Sequence, residues 1–322
     1  SRVTAPIGVP TPIALLLVGA ALSFVPAVPR LTLSSDLVLY GLLPPLLYAA
    51  ALSTSLLDIR ANRVAILGLS VGLVLFTAVG VAVVAWLLLP IPFAVAIALG
   101  AIVAPPDAVA ATSVARSIGL PRRVTTILEG ESLLNDATAL VTLRTALAAA
   151  GLAAHGASSH AEVPEVTLPS VAADLLIASL GGVAIGVVAF MAIGALRRHL
   201  TEVPADTALS FVAPYIAFVP AEQVGASGVL AVVTAGLLLA HKAPVIQTAP
   251  SRLSEKINWS SVTFVLENAV FLLTGLQVWS LVEDTRDGEL GTGRTLAVAG
   301  AVLLTVLVLR PIWLLGQGAV QV

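Results

Sequence analysis

Three carboxylates lie close together in an otherwise apolar stretch, ILEGESLLNDATALV, that runs from Ile127 to Val141. They are Glu129, Glu131 and Asp136. A carboxylate near the centre of a bilayer costs about 2.5 to 3.5 kcal/mol on insertion scales, so such acids are rare unless something pairs with them or uses them. If this stretch crosses a membrane, it is a candidate site for charge chemistry.

On a helix, the polar side chains of this stretch fall on two neighbouring faces. Ser132 and Asp136 are four residues apart and share one face, while Glu131 and Asn135 share a second face about 100 degrees round. Hard cations prefer oxygen ligands, so the first face could hold a monovalent cation. A proton would then compete with the cation for the Asp136 carboxylate. The second face could offer a carboxylate to a basic partner. The alternative is that these acids only pair with arginines and hold helices together.

A second candidate lies in IVAPPDAVAATS, which begins at Ile102. Pro105 and Pro106 together should break the helix, because proline lacks an amide hydrogen and restricts the residue before it. Asp107 would then open a second half-helix, where its charge meets the positive end of the helix dipole. Interrupted helices at membrane depth are typical of transporter ion sites. The alternative is a simple helix cap beside a proline kink.

Further charges occur within apolar runs. Glu267 and Arg310 each require a partner, and a structural ion pair is at least as good an explanation as a direct role in transport. Arg144 lies eight residues beyond Asp136, and its long apolar stem is expected to carry its charge to the membrane interface.

The composition assigns the chain to a class. Of 322 residues, 58% are hydrophobic and 11% charged, and the mean hydropathy is +1.03, which indicates a membrane protein. The net charge of -2 argues against a nucleic-acid partner. The absence of cysteine excludes disulfides and thiolate metal sites. Near the start there is no basic stretch followed by a cleavage site, so no signal peptide is predicted.

Apolar runs separated by polar turns predict ten helices. Their approximate spans are 12 to 28, 36 to 55, 63 to 89, 93 to 117, 124 to 152, 168 to 196, 205 to 219, 225 to 241, 257 to 282 and 294 to 318. Lysine and arginine concentrate in the even-numbered loops, which hold ten of them against three in the odd-numbered loops. By the positive-inside rule, the even loops and both ends of the chain are expected in the cytoplasm.

Several blocks, in this order, carry a resemblance to a known family: LYGLLPPLLYAAAL, VAPPDAVAA, LEGESLLNDATALV, GASGVLAVVTAGLLLA, FVLENAVFLLTGLQ and LRPIW. They resemble bacterial sodium/proton exchangers of the first cation:proton antiporter family, which are NhaP-like. The resemblance covers nearly the whole chain. It implies an all-α, polytopic membrane protein with an inverted-repeat antiporter fold and a broken helix at the ion site. About thirteen helices are expected in that fold, so residues 1–322 are interpreted as a single transmembrane antiporter domain that lacks one N-terminal and two C-terminal helices.

The resemblance also implies roles for individual residues. Asp136 corresponds to the carboxylate that binds cation and proton, with Asn135 as its partner. Ser132 and Asp107 correspond to further ligands of the monovalent cation, so that the cation would contact Asp136, Asp107 and Ser132. Glu131 and Arg310 are expected to form a structural ion pair. Glu267 is expected to be a supporting acid.

The implied function is that of a secondary active antiporter, not an enzyme, in the cell membrane. It would exchange Na⁺, with K⁺ or Li⁺ as alternatives, for protons and so contribute to pH and cation homeostasis. The Asn-Asp pair implies electroneutral exchange, no organic cofactor is required, and the expected partners are membrane lipid and a second copy in a homodimer. Ala49 stands where the family usually has an acid, which leaves a cation or pH sensor without transport as the alternative. An intramembrane hydrolase using Ser132 is disfavoured, because no His or Lys base lies in the apolar runs.

Overall fold

The fold comes from a computed structural model, which describes residues 11–26, 28, 34–106, 119–151, 168–287 and 291–320. These residues form helices and their connections, with no strand among them. The helices are α1 (Thr11–Ser23), α2 (Leu37–Ser53), α3 (Leu56–Ala61), α4 (Arg63–Leu88), α5 (Phe93–Val103), α6 (Arg122–Ala149), α7 (Leu168–Arg197), α8 (Val203–Gln223), α9 (Gly228–Ile246), α10 (Ala249–Leu276), α11 (Val278–Asp287) and α12 (Thr292–Val320). Two of them contain π-helical turns, at Leu37–Leu42 in α2 and at Gly68–Leu73 in α4.

Within the part of the chain that the structure describes, six helical segments are long and apolar enough to cross a bilayer. They are Arg63–Leu88, Leu176–Arg197, Val203–Gln223, Gly228–Ile246, Ala249–Arg286 and Thr292–Gly316. Their outer faces carry large apolar side chains such as Leu180, Met191 and Leu315, each more than 60% exposed. Exposed apolar surface on this scale suits lipid rather than water. The prediction of an all-α polytopic membrane protein is confirmed.

Each of the ten predicted segments contains a helix, and among the boundaries that fall within the described residues the largest error concerns the start of α10. This helix begins at Ala249, eight residues before the predicted start at 257. The Thr248 hydroxyl caps it by accepting a hydrogen bond from the Ser251 amide, and Pro250 occupies its first turn. Arg252 and Lys256, which the sequence analysis counted in a loop, therefore lie within the helix. Hydropathy missed this start because the first two turns of α10 are polar.

The chain divides into two compact units, each assembled from separate stretches of sequence. The first unit comprises residues 1–53, 186–219 and 232–295. In it α1 packs along α10, and Gly19 and Gly275 allow the two backbones to approach closely. A Cβ on Gly275 would collide with the Leu16 carbonyl oxygen and would lie 2.9 Å from the Ala20 nitrogen. Small residues at such crossings replace the hydrophobic driving force that lipid-embedded helices lack.

The second unit comprises residues 54–185, 220–231 and 296–322. Here α5 packs against α4 and α6, and α12 contacts the π-helical turn of α4. The Trp313 indole of α12 donates a hydrogen bond to the Gly68 carbonyl oxygen at 3.2 Å and stacks near Phe76, with ring centroids 5.2 Å apart. A π-helical turn departs from the regular α-helical ladder, which suits such a contact between helices.

The predicted break in the fourth apolar run is confirmed on its N-terminal side. Helix α5 ends at Val103, just before Pro105 and Pro106. The predicted second half-helix and its first residue, Asp107, lie outside the described residues.

The glycine crossing in the first unit can be tested by adding one methyl group. Gly275→Ala forces α1 and α10 apart, so we expect it to lower the thermal unfolding temperature in detergent. The matched control is Gly300→Ala on α12, where an added Cβ meets no atom within 4 Å in the described structure. Because alanine favours helix over glycine by about 1 kcal/mol, the control should be neutral or stabilising. Equal unfolding temperatures for the two variants would contradict this role of the crossing.

Candidate functional site

Helix α6 carries the residues that the sequence singled out, on two faces of different exposure. Glu131 and Asn135 are buried, at 3% and 0% exposed, whereas Ser132 and Asp136 are half-buried. The helical spacing of the four residues therefore separates a fully packed face from a neighbouring face that is more accessible. That difference suits Glu131, whose packed surroundings can hold a basic partner in place, and Asp136, which is more accessible to an ion.

Asn135 joins α6 to the end of the interrupted segment. Its Nδ2 donates a hydrogen bond to the Pro106 carbonyl oxygen at 3.4 Å. Its Oδ1 is buried and accepts no hydrogen bond from the described residues. A buried acceptor without a donor costs about 1 to 3 kcal/mol, so this oxygen is a candidate ligand for a cation or acceptor for a proton-bearing group.

The Glu131 carboxylate is paired with a distant arginine. Arg310 on α12 places its Nη2 2.8 Å from Glu131 Oε1 and donates a hydrogen bond to it. The Glu131 side chain is 3% exposed and that of Arg310 35%. The structure thus brings together the two residues expected to form an ion pair, and it joins α6 to α12 through them.

The remaining expected site residues are placed differently. Asp107 lies outside the described residues. Glu267 is half-buried on α10 and belongs to the first unit, whereas Ser132, Asn135 and Asp136 belong to the second. Ala49 is buried in α2 of the first unit, where its methyl group offers no oxygen to a cation.

Sequence reasoning missed the partner of Arg144. Two guanidinium nitrogens of Arg144 each lie 2.8 Å from a different carboxylate oxygen of Glu222 at the end of α8. This two-point geometry is the strong form of an ion pair. The prediction that Arg144 would simply extend to the interface overlooked Glu222. The only local signal was that Glu222, in the polar stretch AEQVGAS between two predicted helices, has no basic residue beside it in the sequence.

A buried charge cluster in the first unit was also missed; it consists of Arg197, Asp206 and Glu255. Arg197 is 1% exposed, and its Nη2 lies 2.7 Å from Glu255 Oε1. Its Nε lies 3.3 Å from Asp206 Oδ1. A guanidinium and two carboxylates removed from solvent are tolerated only when they compensate one another.

Neutral side chains complete this cluster. Gln247 Nε2 donates hydrogen bonds to Asp206 Oδ2 at 2.9 Å and to Glu255 Oε2 at 3.0 Å. The Ser210 hydroxyl donates to Glu255 Oε1 at 2.6 Å and accepts from the Trp259 indole at 2.7 Å. The available signal was that all three charges flank even-numbered predicted loops, which places them on one side of the membrane. Only Arg197 entered the count of basic residues that indicated orientation, and Asp206 and Glu255 were not considered.

Comparisons with known proteins agree with this architecture. A sequence model of the family described as sodium/hydrogen exchanger, transmembrane, matches residues 2–320. A protein of Mycobacterium tuberculosis named as an uncharacterized Na⁺/H⁺ exchanger is 32% identical over 302 residues, which cover 94% of this chain and 53% of that protein. A sodium, potassium, lithium and rubidium/H⁺ antiporter of Bacillus subtilis is 28% identical, over 95% of this chain and 46% of the relative. The chain spans about half the length of the curated relatives that it matches.

The fold is shared with a solved structure. The sodium proton antiporter MjNhaP1 of Methanocaldococcus jannaschii superposes with a TM-score of 0.72 over 98% of this chain and 74% of that protein. The two sequences are 18% identical, so this likeness concerns the fold.

The pairing of Glu131 with Arg310 predicts a specific pattern of stability. Arg310→Met leaves a buried carboxylate without its partner and should lower the unfolding temperature in detergent. Adding Glu131→Gln removes that stranded charge, so the double variant should be more stable than the single Arg310→Met variant. A double variant that unfolds at the same temperature as the single variant, or below it, would show that the pair carries no such coupling.

The buried charge cluster predicts a large difference between two adjacent arginines. Arg197→Met should lower the free energy of unfolding of the first unit by about 3 to 5 kcal/mol, because it strands two buried carboxylates. Arg198→Met is the control, since Arg198 is exposed. Thermal unfolding of the two purified variants measures the difference, and similar curves would refute a stabilising role for the cluster.

Proposed function

Because this chain belongs to the sodium/hydrogen exchanger family, whose transmembrane model matches residues 2–320, we propose that it forms the transport part of a secondary antiporter. The exchange is of a monovalent cation, Na⁺ in the first place, for protons. One observation carries the proposal: the pair Asn135-Asp136 on α6 lies where Asn135 meets the interrupted end of α5, and Asn135 has a buried oxygen without a donor among the described residues. The chain is a multi-pass protein of the cell membrane.

Asp136 is the group that exchanges its ligand. It is half-buried on the accessible face of α6, where its carboxylate can bind a cation or a proton but not both. Ser132, one turn earlier on the same face, supplies a neutral oxygen to the cation. Asn135 adds an amide oxygen, and Asp107 is proposed as a second carboxylate ligand.

The stoichiometry follows from the number of carboxylates that change their ligand. If Asp136 alone alternates between proton and cation, each cycle moves one positive charge in each direction, so the exchange is electroneutral. Asn135 supports this proposal because an amide beside the carboxylate binds cations without titrating. The opposing ion gradient supplies the free energy, and the chain serves pH and cation homeostasis without an organic cofactor.

The choice of cation is proposed from the ligands and from the relatives. A site of a hydroxyl, an amide and one or two carboxylates accepts hard monovalent ions of several sizes. Ala49 adds no ligand, so K⁺ and Li⁺ are alternatives to Na⁺, as the printed name of the Bacillus subtilis relative also suggests. A homodimer in the lipid bilayer is the proposed assembly.

Asp136 is tested directly by transport. Full-length protein in inside-out vesicles should collapse a preformed pH gradient when Na⁺, K⁺ or Li⁺ is added, and Asp136→Asn should abolish this because it removes the carboxylate that alternates between proton and cation. Glu202→Gln, which changes an exposed acid before α8, is the control and should exchange as the unaltered protein does. Exchange that survives in a folded Asp136→Asn protein would overturn the assignment.

Competition at one carboxylate also predicts a pH dependence. As pH falls, protons occupy Asp136 more often, so the cation concentration that gives half-maximal exchange should rise, by up to about tenfold per pH unit once the proton-bound form dominates. Initial rates over a series of cation concentrations and pH values measure this shift. A half-saturating concentration that stays constant while the maximal rate changes would contradict direct competition.

A further inference from the structure

The ion pair between Arg144 and Glu222 ties the site helix to the turn between α8 and α9. Arg144 Nη1 donates to Glu222 Oε1 and Arg144 Nη2 lies beside Glu222 Oε2, both at 2.8 Å. The Glu222 side chain is 11% exposed and that of Arg144 39%. Two parallel contacts fix the direction of the guanidinium as well as its distance, which a single contact would not do.

Glu222 is itself held rigidly. Its Oε1 accepts a hydrogen bond from the amide of Gly228, the first residue of α9, at 2.9 Å. A carboxylate at that position also interacts favourably with the positive end of the α9 dipole. The turn between the two helices has Gly225 at a φ of +75°, and the Ser227 amide donates to the Ala178 carbonyl oxygen of α7 at 2.9 Å. The Glu222 carboxylate therefore faces Arg144 from a turn that is fixed by hydrogen bonds to α7 and α9.

Along α6, this pair lies on the far side of the candidate site from the pair of Glu131 with Arg310. Arg144 follows Asp136 by eight residues, about 12 Å along the helix, and follows Glu131 by thirteen, about 20 Å. Thirteen residues also place Arg144 about 220 degrees round the helix axis from Glu131, so the two ion pairs contact α6 on different sides. Ser132, Asn135 and Asp136 lie between them.

Two anchors in different directions oppose rotation of α6 about its own axis. Side-chain tips on a helix lie about 5 to 6 Å from the axis, so a rotation of 10 degrees moves them by about 1 Å. A displacement of that size is enough to weaken an oriented site. With an anchor at Glu131 alone, resistance to this rotation at the far end of α6 would depend on helix packing without a directed ion pair.

We propose that Arg144 and Glu222 are positioning residues that set the rotation of α6, and with it the alignment of Ser132, Asn135 and Asp136 as cation ligands. This inference rests on the proposed antiport function. Neither residue touches the cation, so their removal acts on affinity for the cation rather than on the capacity to exchange.

The experiment measures cation-dependent exchange by the full-length protein in inside-out vesicles, over a series of Na⁺ concentrations. Glu222→Gln keeps an acceptor for the Gly228 amide, and Arg144→Gln keeps a polar side chain on α6. Each should raise the half-saturating Na⁺ concentration at least about fivefold, with the maximal rate within about twofold of the unaltered protein. Arg144→Lys keeps the charge but loses the two-point contact. Its half-saturating Na⁺ concentration should therefore lie between that of the unaltered protein and those of the two Gln variants.

Coupling and stability complete the test. The double variant Arg144→Gln, Glu222→Gln should have a half-saturating Na⁺ concentration no higher than that of either single variant, because both single changes remove the same ion pair. Arg198→Gln, an exposed arginine of the first unit, is the control. A purely structural role would instead lower the unfolding temperature without Na⁺ and leave the half-saturating Na⁺ concentration unchanged, which would overturn the proposal. Variants unchanged in both quantities would overturn it as well.

The two proposals fail in different ways. Exchange by the unaltered protein combined with unchanged Na⁺ dependence in the variants would overturn the positioning role alone. If the unaltered protein, folded and inserted, shows no exchange with Na⁺, K⁺ or Li⁺, the antiport function is overturned, and the positioning role falls with it.

Discussion

A charge buried between membrane helices needs a partner within hydrogen-bonding distance, and the arrangement of helices in this protein depends on that requirement. The cost of an unpaired carboxylate or guanidinium at such depth is several kcal/mol, comparable to the stability of a whole domain. Glu131 meets it through Arg310, and Glu222, whose side chain is 11% exposed, through Arg144. In the first unit Arg197 meets it through two carboxylates. Except for the contact of Arg197 with Asp206 on the next helix, each of these contacts joins helices that are distant in sequence.

The candidate ion site differs from these pairs in one respect. The charges of Glu131 and Arg310 compensate each other, whereas Asn135 retains a buried oxygen with no donor among the described residues. A transport site must leave some of its binding capacity for a ligand that comes and goes. The strong pairs on either side of it are formed by Arg144, Glu222, Glu131 and Arg310, which are not among the proposed ligands of the ion.

Close helix packing supplies the rest of the framework. Lipid surrounds the outer faces, so apolar side chains gain little by leaving it, and contact between backbones becomes more important. The crossing of α1 and α10 at Gly19 and Gly275 illustrates this, because neither position has room for a methyl group. Large residues remain on the outer faces, as Leu180 and Leu315 do.

The sequence by itself determined the features that depend on local pattern. Hydropathy identified the membrane helices, the two consecutive prolines predicted the end of α5, and four-residue spacing sorted the polar residues of α6 onto two faces. The start of α10 escaped because polar turns capped by Thr248 do not differ from a loop in hydropathy. The pairing of Glu131 with Arg310, 179 residues apart, was expected only through the resemblance to a family. Only the tertiary structure revealed the partner of Arg144, 78 residues away, and the buried surroundings of Arg197. The physical reason is that periodicity and propensity act over a few residues, whereas the partner of a buried charge is chosen by which helices pack together.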